Sequence, residues 1–98
     1  AYYRRPLVID GLISSTGALL AQRLAPAAAD AMIAAHRSAE PGHRIVLESL
    51  GKEPFIDLGF RLGEGTGSAL AMNIVDAAAR LLTEVRTFAE AAVSEAEA

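Results

Sequence analysis

The chain has 98 residues, a net charge of −3, a hydrophobic fraction of 52%, and no cysteine or tryptophan. This allows one small domain, excludes disulfides, thiolate metal ligands and a cysteine nucleophile, and offers no basic footprint for nucleic acid. Alanine fills 21 positions, which favours helix but buries little area per residue, so the expected core is thin and part of the fold is expected to lie outside these residues.

The opening Arg4-Arg5-Pro6 leads only into Leu7-Val8-Ile9 before Asp10, too short an apolar run for a signal peptide. The uncharged stretch Gly65 to Val75 falls short of the ~20 apolar residues of a membrane span. The expectation is a cytoplasmic protein with no membrane or nucleic-acid partner. Leu7-Val8-Ile9, closed by Asp10-Gly11, reads as a strand buried on both faces in a parallel sheet. Ser14, Ser15 and Thr16 offer capping hydroxyls to a helix carrying Leu19, Leu20 and Leu24, which ends near Ala25-Pro26. Ala31 to Ala35 reads as a second strand, completing a βαβ unit. Pro41 suits a first helical position, with Ile45, Val46, Leu47 and Leu50 as the apolar face and Gly51 as the stop.

Lys52 to Leu62 shows little periodicity and leads to Gly63-Glu64-Gly65-Thr66-Gly67. From Ser68, Leu70, Ile74, Leu81, Val85, Phe88 and Ala92 recur at helical spacing, predicting one helix over 68–93, and the acidic tail Ser94 to Ala98 is expected to fray. The fold class is α/β: part of a parallel-sheet, Rossmann-like fold. Strand, helix, strand and helix over 7–50 precede a loop over 51–67 and a long helix. Two strands do not make an independent covered sheet, so further strands are expected elsewhere.

Three constellations could carry chemistry. Gly63 to Ser68 opens a helix, where glycines permit close approach and free N–H groups favour anions. A phosphate cradle is one reading. Glu64 in the middle of the loop argues against it and for an accessible carboxylate base; a plain helix start is the structural alternative. His36 to His43 lies where a strand's carboxyl end meets a helix start, the ligand-binding edge of open α/β sheets. Arg37 and Ser38 could bind an anion there. The two histidines do not have a metal spacing and read as surface residues, with Glu40 beside the helix start. Asp10-Gly11 with Ser14 to Thr16 reads as a strand end and cap, or as another ligand edge. Met72 reads as packing, and neither a nucleophile elbow nor a complete Walker loop occurs.

Taken in order, Leu7-Val8-Ile9-Asp10-Gly11, His36-Arg37-Ser38-Ala39-Glu40-Pro41-Gly42-His43, Asp57-Leu58-Gly59, Arg61-Leu62-Gly63-Glu64-Gly65-Thr66-Gly67 and Ala69-Leu70-Ala71-Met72 resemble one family. The resemblance is to the carboxyl-terminal part of the nicotinate-nucleotide–dimethylbenzimidazole phosphoribosyltransferases of cobalamin biosynthesis. It implies transfer of phosphoribose from nicotinate mononucleotide to dimethylbenzimidazole with inversion, giving alpha-ribazole 5′-phosphate and nicotinate. It also implies Glu64 as the base, Leu62 against the benzimidazole, Gly63 and Gly65 as substrate-binding loop positions, and Ser38 in contact with the nucleotide. No metal or organic cofactor and a homodimer are implied. The family's glycine-rich phosphate-binding segments precede the matching region, so the isolated chain is expected to be inactive. The competing expectation is a non-catalytic binding or assembly module built on the long helix.

Overall fold

The computed structural model describes residues 1–59 and 61–93; the expected fraying of Ser94 to Ala98 lies outside them. β1 (Leu7–Ile9), α1 (Leu12–Leu24), a 3₁₀ turn (Pro26–Ala31), β2 (Met32–Ala34), α2 (His43–Leu50) and α3 (Thr66–Glu84) follow in order. β1 and β2 pair in parallel, Leu7 opposite Met32 and Ile9 opposite Ala34, so the strand–helix–strand order and the α/β class are as expected. The segment read as aperiodic makes a single bridge to the chain just past β2. Ile56 pairs in parallel with His36: Arg37 N–H donates to Ile56 C=O at 2.8 Å and Ile56 N–H to Ala35 C=O at 3.2 Å. One such bridge is too short to leave a periodic signature.

Three boundaries differ from the sequence expectation. α1 starts directly after Gly11 with no side-chain cap, and the Ser14 hydroxyl donates back to the Gly11 carbonyl at 3.1 Å. α2 starts at His43, with Gly42 in the left-handed region at φ 91°, so Pro41 stands before the helix and not in its first turn. The long helix ends at Glu84 and not at residue 93. Thr87 and Glu90 explain this stop. Thr87 N–H donates to Glu90 Oε2 at 2.8 Å and Glu90 N–H to Thr87 Oγ1 at 3.3 Å, a reciprocal capping box that starts a new turn and needs extended backbone before it. Val85 supplies that backbone at φ −80°, ψ 128°. The Thr87 backbone N–H first, and then the Thr87 hydroxyl, which donates to the same Oε2 at 3.0 Å, hold the Glu90 carboxyl below its ordinary 4.5.

The core is small and mostly aliphatic. Ile9, Ala18, Met32 and Leu50 form one cluster under α1 and α2, and Ala35, Ile56 and Ala71 a second under α3. None of the four described Tyr and Phe side chains is buried. The largest fully buried side chains are instead His36 and His43. α3 meets β1 and buries only Gly67 and Ala71, while Leu70, Ile74, Leu81 and Leu82 remain exposed. Leu7 is 52% exposed, so β1 is not covered on both faces by this chain alone. The radius of gyration, 16.9 Å, exceeds the ~13 Å of a packed domain of this length because the far half of α3 projects from the sheet. Among the described residues no helix is long and apolar enough to cross a membrane.

Burial separates the leucines by consequence. In the 98-residue chain we expect Leu50→Ala, at a site 2% exposed, to cost about 2–5 kcal/mol in denaturant unfolding. Leu82→Ala, at a site 87% exposed, should stay within about 0.5 kcal/mol of the parent. Equal effects would contradict this division of the core.

Candidate active site

Asp10 and Gly11 follow β1 directly, and the Arg61–Gly65 loop lies over them. Together with Leu12 to Ser14 and Glu40 they line a cleft of about 510 Å³, at the carboxyl ends of the strands where open α/β sheets bind ligands. A separate cavity of about 480 Å³ near Arg4, Arg5 and Asp30 opens at the opposite ends of the strands and holds no residue of the glycine loop.

The loop has an unusual backbone. Gly63, Glu64 and Gly65 all lie in the left-handed region, at φ 76°, 56° and 80°. Glycine takes this conformation without penalty, whereas glutamate does so at a cost of order 1 kcal/mol. Gly63 C=O accepts both Thr66 N–H, at 3.1 Å, and Thr66 Oγ1–H, at 2.8 Å. The Asp10 carboxylate lies across the start of α3. Its Oδ2 accepts Gly65 N–H at 3.1 Å and its Oδ1 accepts Ser68 N–H at 3.0 Å. The Ser68 hydroxyl donates to Val8 C=O at 3.2 Å. Two donors that a phosphate cradle would use, the Gly65 and Ser68 N–H groups, therefore already hold an anion supplied by the chain itself. The Glu64 side chain stays exposed at the cleft.

Two buried imidazoles support this edge. His36 is 1% exposed, with Nε2 at 3.5 Å from Asp10 Oδ1. A Cβ on Gly67 would run into the His36 ring, so glycine is required where α3 crosses it. His43 is fully buried. Its Nδ1 accepts Ser38 N–H at 2.9 Å, so the neutral ring carries its proton on Nε2 and donates to Ser15 Oγ at 3.0 Å. The expectation that these histidines are surface residues is overturned. A helical signal was present, because His43, Leu47 and Leu50, at i, i+4 and i+7, form the buried face of α2. Ser15, read as a cap, is a buried partner of His43.

The structure thus brings Leu62, Gly63, Glu64 and Gly65 to the cleft wall. Ser38 is not on the wall: it is 6% exposed, and its hydroxyl accepts the N–H of Glu40 at 3.2 Å, the residue that reaches the cleft. Among the described residues no three His, Cys, Asp or Glu side chains gather to hold a metal ion.

Residues 1–93 match the family model described as Phosphoribosyltransferase. The chain is 64% identical over 95 residues to the nicotinate-nucleotide–dimethylbenzimidazole phosphoribosyltransferase of Syntrophotalea carbinolica, covering 97% of this chain and 27% of that protein. It is 56% identical over 95 residues to the enzyme of the same name from Syntrophobacter fumaroxidans, covering 97% of this chain and 27% of that protein. The crystal structure of the corresponding Thermus thermophilus enzyme superposes with a TM-score of 0.88 at 53% identity, over 93% of this chain and 27% of that one. The chain therefore spans about a quarter of the length of the relatives it matches.

Burial first, and the neighbouring His36 second, push the His43 imidazole below its ordinary 6.5. The folded state keeps the ring neutral where the unfolded chain takes up a proton. The resulting stability is whole above pH 6.5 and is lost as pH falls through 6.5 toward the lowered value. We expect denaturant unfolding to show a less stable chain at about pH 5.5 than at about pH 7.5, and His43→Asn to shrink that difference. Equal stability at the two pH values, or an undiminished fall in the variant, would contradict the assignment.

Proposed function

Since the chain belongs to the phosphoribosyltransferase family, we propose that it supplies the base-bearing wall of a nicotinate-nucleotide–dimethylbenzimidazole phosphoribosyltransferase. One ring nitrogen of dimethylbenzimidazole attacks C1′ of the ribose, opposite the nicotinate. The C1′–nicotinate bond breaks with its electron pair returning to the nicotinate ring nitrogen. The proton on the other azole nitrogen passes to the Glu64 carboxylate. The products are alpha-ribazole 5′-phosphate, with C1′ inverted, and nicotinate.

The observation that supports this reading most is Glu64 itself: a strained, exposed carboxylate between two glycines, on a cleft whose nearest helix-start donors are already filled by Asp10. A carboxylate that takes up the azole proton as the new bond forms raises the nucleophilicity of the attacking nitrogen and offsets positive charge at the transition state. Gly63 and Gly65 keep side chains away from a flat ring. Leu62, 68% exposed, offers that ring an apolar surface. Ser38 keeps a hydroxyl proton to donate toward the nucleotide while holding the Glu40 backbone. No metal or organic cofactor enters this scheme. The intact enzyme is proposed to be a cytoplasmic homodimer acting on these small molecules, without nucleic acid. The uncovered stripe of α3 supports further protein surface packing there.

Glu64→Gln in the intact enzyme should lower kcat by about 10²–10⁴-fold while the KM for nicotinate mononucleotide changes little. Turnover equal to that of the parent would remove Glu64 from the base role. The 98 residues alone should form no alpha-ribazole 5′-phosphate, and detecting it would show that the wall suffices.

A further inference from the structure

We propose that Asp10 is a positioning residue for Glu64, fixing the backbone on which the base is carried; this rests on the reading of Glu64 as the base. Two peptide planes flank the Glu64 Cα. The plane before it contains the Gly63 carbonyl, and that oxygen is held by the N–H and the hydroxyl of Thr66. The plane after it contains the Gly65 N–H, and that donor is held by Asp10 Oδ2. Because a peptide unit is planar and rigid, pinning one of its polar atoms restrains the whole plane. With both planes restrained, Glu64 is kept at φ 56°, a conformation that glutamate does not favour by itself.

Asp10 is suited to this task by its own restraints. It directly follows β1, whose register with β2 is set by paired backbone bonds. Its second oxygen takes the Ser68 N–H in the first turn of α3, where the helix dipole favours a negative charge. The buried His36 ring stands 3.5 Å from that oxygen and is packed against Gly67. One carboxylate therefore ties the loop, the helix start and the strand end together, and the bonds to ionised oxygen are stronger than neutral ones. Replacing it with an amide of the same shape leaves one accepting oxygen for two donors.

The test is a double-mutant cycle in the intact enzyme with Asp10→Asn, Glu64→Gln and the pair. Asp10→Asn should lower kcat by about 10²-fold, the scale of an ångström-sized misplacement, with KM for both substrates little changed. In the Glu64→Gln background it should cost no more than about twofold, because its effect passes through Glu64. Hydrogen exchange should quicken at the Gly65 and Ser68 amides in Asp10→Asn, while the Ala35 amide stays protected as in the parent. Were Asp10→Asn not to fold, Asp10→Glu, whose oxygens are displaced by one methylene, should give the same pattern. An unchanged kcat, a rise in KM alone, or an equal further loss in the Glu64→Gln background would overturn the proposal. A Glu64→Gln enzyme of full activity would instead overturn the base assignment, and the exchange result at Gly65 and Ser68 would still report on the clasp.

Discussion

The fold turns on one carboxylate that bonds two backbone N–H groups far away in the chain. Asp10 stands 55 residues from Gly65 and 58 from Ser68, and through it the end of β1 holds the start of α3. The other ties of that helix to the sheet are the Ser68 hydroxyl on Val8 C=O and the small Ala35, Ile56 and Ala71 cluster. The two buried residues of α3 are Gly67 and Ala71, which bring the backbones close but remove little apolar area from water. Directional, charge-assisted bonds at one end therefore set the position of α3, and the loop before it inherits that position.

The same economy explains the histidines. An alanine-rich chain whose described tyrosines and phenylalanines all lie outside the core needs other large side chains inside it. His36 and His43 supply that volume, and each also carries polar function. His43 joins α1, α2 and the 36–43 segment through Ser15 and Ser38. His36 fills the space over Gly67 beside Asp10. A buried polar network of this kind specifies one arrangement where alanine contacts alone would permit several. Within it, burial holds the His43 imidazole below its ordinary value, which disfavours the charged ring.

Local chemistry was legible in the sequence, and long-range chemistry was not. β1, the stop of α2 at Gly51 and the glycine loop with Glu64 at its centre follow from composition, turn residues and spacing. The order of five sequence words pointed to the family that residues 1–93 match. What escaped depends on partners distant in sequence. Nothing near Asp10 announces that its donors are Gly65 and Ser68, and nothing near Ile56 announces its pairing with His36. The end of α3 escaped for another reason. Apolar recurrence through Val85, Phe88 and Ala92 matched a helix, while the Thr87–Glu90 box, equally visible, is the stronger local signal because it satisfies backbone donors directly. His43 was hidden by residue type, since its place on the Leu47 and Leu50 face was present in the spacing.

The central claim is that the Glu64 carboxylate receives the azole proton. A crystal structure of the intact enzyme with dimethylbenzimidazole bound tests it most directly. The account predicts the flat ring in the cleft beside Leu62, with its N–H about 2.6–3.2 Å, heavy atom to heavy atom, from a Glu64 carboxylate oxygen. A ring bound outside this cleft, or one whose N–H is held by another group while Glu64 points to solvent, would contradict it.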